Sequence, residues 1–538
     1  MLLPRLVARV RSICSSRASD DFDIGGNGLS RPILGSPQGA KHNSRRDTDW
    51  LDGLRGYAAL LVFFTHFAFS YWHQVRLVYG TVIPLETQVW SGEYFPYVAQ
   101  LYNGTRVISS TEEQQNYHLL QLPILRLLSY GEPMVVIFFI VSGYSLSLKP
   151  ISLMLKGHAG QSQMLTHLAS SIFRRPIRLL APVTIGTFLV AFGTGIGLYK
   201  HAASFANVSD SDFHGLFGGW AHELTPIQKD NLWLQLKDWF FSLSDLFDFF
   251  THFQWPASRY DNHLWTIPVE FRCSMFLFLS QAATAFFTSR FRLTLLSIFV
   301  VGGLTWGDTW EMAVFWAGMA LCEVNTIYPP VSQSYFDQPQ QRNLLRRGTK
   351  ISFFLLGLYL ASMPRSYALY TPFYSTLAGI HIPGLRGENQ SRFWQCTGCI
   401  LSVSILSRSL PLKRFFSNKA AKYLGRISFA LYIVHGPILR GLGYSTAIVA
   451  WSVVGNDSAA RYNAGVAITA AVVFPTVFAL AHLFTFFVDE PLVRFARALD
   501  GRLRLAAERR EEWTAEDEDK YRAMDSPMMV MVDGNGMA

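Results

Sequence analysis

From Leu51 onward the chain is organised as long apolar blocks separated by polar stretches that are short or sharply bounded. A helix needs about 20 apolar residues to cross a hydrocarbon core, where backbone amides find no water and must pair within the helix itself. About ten such blocks occur. They cover residues 51–72, 131–149, 177–199, 263–285, 291–304, 306–325, 351–370, 393–410, 427–447 and 464–488. The pattern predicts an all-α, polytopic integral-membrane bundle of about ten transmembrane helices. Only Gly302, Gly303 and the segment around Trp306 separate the fifth block from the sixth, and a single re-entrant hairpin is the alternative there.

The flanks read differently. Residues 1–50 carry Arg5, Arg9, Arg11 and Arg17, then Asp20, Asp21 and Asp23, then a Gly-, Ser- and Pro-rich stretch, with no apolar core of a secretory signal. They are expected to form a disordered cytosolic tail. Residues 51–495 form the predicted transmembrane domain, and residues 496–538 a cytosolic C-terminal tail, partly helical and then disordered.

Composition agrees with a lipid environment: half of the 538 residues are apolar and 16% are charged, below the quarter expected of a soluble chain. Five scattered cysteines give no disulfide framework. A net charge of +9 raises nucleic-acid binding, yet the basic residues alternate with the apolar blocks and form no single surface. They instead report orientation, because cytoplasmic loops retain Lys and Arg. Lys149, Lys156, Arg174, Arg175 and Arg178 fall in one set of segments, with Arg290 and Arg292, then Arg342, Arg346, Arg347 and Lys350, then Lys413, Arg414, Lys419, Lys422 and Arg426. The intervening stretches, 73–130, 200–262, 371–391 and 448–463, are sparse in such residues and are expected outside. Asn103, Asn207, Asn389 and Asn456 head glycosylation acceptor patterns, and all four lie in those outside stretches. Both termini are therefore expected in the cytosol, in an endoplasmic reticulum, Golgi or plasma membrane.

Ionisable residues inside spans are costly and point to function. Arg55 and His66 are eleven residues apart in the first span, which returns them to within about 20° of one helix face with a rise of about 16 Å. A snorkelling Arg and a core His are the structural alternative. Ser142 and Gly143 interrupt an apolar run and suit close helix packing. His263 and Glu270 flank Trp265 and Pro268 at what reads as a kinked start to a span. His435 precedes a Gly-Pro pair expected to loosen its helix, and Asp489 and Glu490 close the last span, where a structural role is favoured.

Taken in order, these segments resemble the acyltransferase 3 family of integral-membrane O-acyltransferases. Arg55 and His66 match that family's Arg, ten residues, His hallmark within LDGLRG; FFIVSGYSLSL, FRRPIRLLAP, HLWTIPVEF, ISFALYIVHGPIL and DEPLVRF resemble its further elements. The matches span most of residues 51–495, and LWTIPVEFRCSM looks like the fungal branch. The loop between the first two spans is longer than in compact bacterial relatives and is a candidate acceptor-site element.

The resemblance implies transfer of an acyl group, acetyl by default, from acyl-CoA to a hydroxyl of a sugar, lipid or small metabolite, with acyl-CoA a donor substrate and no resident cofactor. His66 is the expected general base, since imidazole titrates near working pH. Arg55, nearer the cytosol, is expected to engage the donor, whose pantetheine arm is comparable in length to the Arg55 to His66 separation. Arg174, Arg175 and Arg178 are candidates for the donor phosphates, with a positive-inside anchor as the alternative. Glu270 and His435 are expected to orient His66 or complete a proton relay. The rival reading is a multi-span transporter, which usually shows paired repeats with broken helices; none is visible. No metal site is expected: Cys396 and Cys399 have no second pair at zinc spacing and lie in an apolar run.

Overall fold

A computed structural model of the chain describes residues 48–506, apart from 73, 74, 76, 82–116, 203–224, 250–257, 307, 308 and 330–339. Both expected tails, save residues 48–50 and 496–506, lie outside the described residues, as do Asn103 and Asn207. Every regular element among the described residues is helical. The α-helices are α1 (Asp49–Tyr71), α2 (Glu132–Met154), α3 (His158–Gly195), α4 (Leu232–Leu246), α5 (Thr266–Ala283), α6 (Ser289–Thr305), α7 (Trp310–Ile327), α8 (Gln340–Ala361), α9 (Ser375–Gly379), α10 (Glu388–Ser407), α11 (Leu410–Phe416), α12 (Lys419–Ile438), α13 (Tyr444–Val454) and α14 (Ala459–Phe484). Among the described residues three helices are long and apolar enough to cross a membrane: Glu132–Met154, His158–Gly195 and the continuous stretch Ala459–Ala506.

α1 and α12 lie side by side and run parallel. Gly56 meets Gly425, where a Cβ on Gly56 would stand 2.4 Å from the Gly425 nitrogen, and further along His66 meets His435. α14 runs antiparallel to α1, with Phe63 against Phe478 and Trp72 donating to the Asn463 side chain at 3.0 Å. On the other side α2 packs along α7, and the Gly143 reading holds: a Cβ there would be 2.2 Å from the Phe315 carbonyl oxygen. Cys396 and Cys399 are buried in α10, as packing residues.

The blocks at 291–304 and 306–325 fall, as expected, in two separate helices, α6 and α7, and Gly303 packs on Ala313 across the short turn. Other expectations need correction. The block at 351–370 is displaced: α8 ends at Ala361. α3 begins at His158, so Arg174, Arg175 and Arg178 are interior positions of a long helix, where their N–H groups are already paired, and not loop residues. Arg292 is no exposed loop cation either. It is buried against the Glu323 carboxylate, with Nε 2.7 Å from Oε2, and donates further to the Thr284 carbonyl. Part of the expected outside stretch 200–262 is the capped helix α4, whose Trp239 donates to Thr187 on α3 at 3.1 Å.

Pro268 does not kink its span. It occupies the first turn of α5, where a missing N–H costs nothing, after the short 3-10 turn Asn262–Trp265. The Gly436-Pro437 pair is contained within α12, and the irregularity comes one step later as a π turn, Leu439–Gly443. Such turns cluster at functional sites.

Candidate active site

The last turns of α1, the 3-10 turn before α5 and the end of α12 bring three imidazoles together. His66 Nδ1 and His263 Nε2 are 3.0 Å apart, and the ring centroids of His66 and His435 are 5.3 Å apart. His263 and His435 are buried, and His66 is half-buried. His263 Nδ1 lies 2.9 Å from Asp261 Oδ1, which also accepts from the His263 backbone N–H at 3.1 Å and from Arg440 at 2.7 Å. Burial is the largest influence on Asp261 and would raise its pKa, but Arg440 and then His263 outweigh it and hold the carboxyl below the ordinary value.

The local sequence explains why these groups converge. Asp261 caps the 3-10 turn through the His263 N–H, and the Tyr432 hydroxyl ties that turn to α12 by donating to the His263 carbonyl, with Thr266 Oγ1 2.7 Å away. Gly436 leaves the necessary space. A Cβ there would stand 2.3 Å from His263 Nδ1 and 2.9 Å from Asp261 Oδ1. The π turn carries Arg440, whose Nε donates back to the Gly436 carbonyl at 3.2 Å while its NH2 reaches Asp261. The His435 Nδ1 lies 3.1 Å from the Leu431 carbonyl.

A second polar centre lies about 16 Å away, at the other end of the same stripe of α1. Arg55 has Asp52 as an ion partner at 3.8 Å and stands within electrostatic range of Arg175, Arg178 and Asp489. Glu270 belongs here and not with His66. Its Oε1 accepts from Arg175 at 2.8 Å and from Ser142 at 3.0 Å, and Arg175 also donates to Ser274. Arg174 turns elsewhere, donating to the Ser170 carbonyl with Asp500 3.8 Å away. Arg426 pairs with Glu490 at 2.6 Å, in keeping with a structural ending to the last span.

The structure therefore divides the expected site residues between two centres: His66 and His435 at one, Arg55, Glu270, Arg175 and Arg178 at the other, with Arg174 beside the second. His263 stood within a recognised segment, but its pairing with His66 had no signal in the spacing. Asp261 and Arg440 are not among the residues the sequence singles out; their only signals are an Asp two residues before a His and an Arg inside an apolar block. Asn389 opens α10 and Asn456 joins α13 to α14, both at the end of the bundle where α1 finishes.

Among the described residues, His66, His263 and His435 are the one group whose ligand atoms come within 4.8 Å of one another and so could hold a metal ion. Two imidazole nitrogens each about 2.0–2.1 Å from a tetrahedral zinc would be roughly 3.3 Å apart. The 3.0 Å between His66 and His263 is a hydrogen-bond distance.

The acyltransferase-domain family of the type called acyltransferase 3 matches residues 48–486, which takes in both centres. The chain belongs to this family. The O-acetyltransferase PaAT-1 of Phomopsis amygdali is 29% identical over 495 residues, 87% of this chain and 88% of that protein. The acyltransferase clz18 of Cochliobolus lunatus is 28% identical over 498 residues, covering 87% and 98%, and the acyltransferase R4 of a Phoma species is 28% identical over 470 residues, covering 82% and 94%. No solved structure matches. Of the two readings of the sequence, acyl transfer is the one this membership carries: the acyltransferase 3 protein described here is an O-acyltransferase of a membrane-associated family, acting on an acyl donor and a hydroxyl acceptor.

Proposed function

We propose that this acyltransferase 3 chain moves an acyl group, acetyl as the first choice, from acyl-CoA to a hydroxyl of a sugar, lipid or small metabolite within a bundle of about ten spans. The name of one relative, an O-acetyltransferase, supports the acetyl choice. In this reading His66 accepts the acceptor's proton as its oxygen attacks the thioester carbonyl. A tetrahedral intermediate forms, the carbon–sulfur bond breaks, and the departing thiolate of CoA takes the proton back from His66, so the imidazole ends as it began. Arg55 and Arg178, with Arg175 already engaged by Glu270, form the cationic face for the donor's phosphates. His435, beside His66, lowers the cost of a transient positive charge there by offering a polarisable, hydrogen-bonded ring.

The observation that carries this reading is that one stripe of α1 lines two separate polar centres, an imidazole cluster and a cationic cluster, about 16 Å apart. That distance suits a donor whose phosphates and thioester lie far apart. The basic pairs at the Arg55 end and the two acceptor asparagines at the other end favour a cytosolic Arg55 end and outside placement of Asn389 and Asn456. The test uses membranes carrying the full chain, acetyl-CoA, and a panel of sugars, glycerolipids and small alcohols, with release of free CoA thiol as the readout. Acceptor-dependent release that falls at least 100-fold in His66→Ala supports the reading; undiminished release in that variant removes His66 from the chemistry.

A further inference from the structure

We infer that Asp261 and His263 are positioning residues that fix His66 in the tautomer whose basic lone pair lies on Nε2, with Arg440 holding the Asp261 carboxylate in register. This inference rests on the reading of His66 as general base.

The chain of hydrogen bonds dictates the tautomers. Asp261 Oδ1 receives the His263 backbone N–H, His263 Nδ1 and the Arg440 guanidinium, and an ionised carboxylate oxygen only accepts. His263 Nδ1 therefore carries a hydrogen. A neutral imidazole has one N–H, so His263 Nε2 is an acceptor, and the donor 3.0 Å from it is the Nδ1–H of His66. Neutral His66 then has its lone pair on Nε2. The reverse arrangement needs an imidazolium at His263. The single negative charge of Asp261 is already matched by Arg440, with both side chains at 1% exposure or less, so a second buried cation would stand uncompensated.

The surroundings are built around this chain. Tyr432 holds the His263 carbonyl, Gly436 provides the only kind of surface on which the His263 ring and the Asp261 carboxylate can both rest, and the π turn aims Arg440 at the same oxygen. When His66 takes the acceptor's proton on Nε2, the resulting imidazolium keeps its Nδ1–H on His263, whose own Nδ1–H remains on Asp261. The arrangement does for His66 what the carboxylate of a Ser-His-Asp triad does for its histidine, with one imidazole interposed. None of these three residues needs to touch either substrate.

The experiment compares Asp261→Asn, His263→Leu, His263→Gln and His66→Ala in the same membrane assay with acetyl-CoA and the fastest acceptor of the panel. A glutamine can still accept the His66 Nδ1–H through its amide oxygen, whereas leucine cannot. Expected is a kcat loss of at least 100-fold in Asp261→Asn and His263→Leu with donor KM changed less than threefold, and at least tenfold recovery in His263→Gln relative to His263→Leu. Loss of folded protein alone lowers the apparent kcat at unchanged KM, so rates are normalised to the folded chain in each membrane preparation, and a merely structural role then leaves the normalised kcat near wild type and does not separate glutamine from leucine. Wild-type kcat in Asp261→Asn and His263→Leu alongside an inactive His66→Ala overturns the positioning role and leaves the base reading standing. An active His66→Ala overturns both. Should Asp261→Asn fail to fold, the two His263 variants decide, and equal loss in both overturns the inference.

Discussion

His66 Nδ1 and His263 Nε2 lie 3.0 Å apart although 197 residues separate them in the chain. The contact joins the last turns of the first helix to a short turn before α5, and it is reinforced from a third element by His435, Tyr432 and Arg440 of the α12 region. The base proposed at His66 thus depends on three separate pieces of the chain arriving together, and its failure modes are specific.

Gly436→Ala should disable the enzyme without touching an ionisable group. The added methyl would stand 2.3 Å from His263 Nδ1, within the body of a rigid ring that Tyr432 and Asp261 hold on both sides. Either the ring or α12 must move. We expect kcat to fall by about two orders of magnitude with donor KM nearly unchanged, a differential loss of transition-state stabilisation measured from initial rates in membranes. Unchanged kcat would mean that His263 can shift freely.

Arg55→Lys should weaken donor binding more than it slows the chemistry. A lysine keeps the charge beside Arg175 and Arg178 but loses the planar fork that grips a phosphate bidentately. The expected outcome is a rise in acetyl-CoA KM of about tenfold, equivalent to about 1.4 kcal/mol, with kcat within a few-fold of wild type. A kcat effect at constant KM would place Arg55 with the reacting atoms.

Arg440→Gln should make the fold sensitive to acid. Asp261 has a depressed pKa in the folded chain, so its contribution is full above its unfolded value and is lost as the pH falls through the lower folded value. Removing Arg440 leaves burial, which acts in the opposite direction, opposed only by His263 and His435. The carboxyl then protonates at higher pH, and the acid unfolding midpoint moves up. Breaking the buried pair should also cost about 3–5 kcal/mol near neutrality. Tryptophan fluorescence of detergent-solubilised protein across an acid titration measures both effects, and an unmoved midpoint would show that Asp261 does not depend on Arg440.

Chelators should leave turnover unchanged. The His66 to His263 separation is a hydrogen-bond length, shorter than the roughly 3.3 Å expected between two ligands of one zinc ion. Prolonged treatment with EDTA followed by the thiol-release assay is the measurement. Loss of activity that zinc restores would reassign the three imidazoles as metal ligands.

Much of this protein was legible from the order of its residues. The apolar blocks gave an all-helical chain, because helices satisfy their amides locally and need no distant partner. The eleven-residue interval of Arg55 and His66 fixed their common stripe for the same reason: periodicity along a helix is a local property. The family membership was also written in contiguous segments. Tertiary structure decided what touches what. It turned Glu270 away from His66 and onto Arg175, drew Arg292 out of solvent and onto Glu323, and brought Asp261 and Arg440, 179 residues apart, onto one oxygen. Those pairings depend on helix rotation and on close approaches at Gly56, Gly425 and Gly436, set by packing between segments far apart in the chain, and hydrophobic periodicity carries no record of such distances.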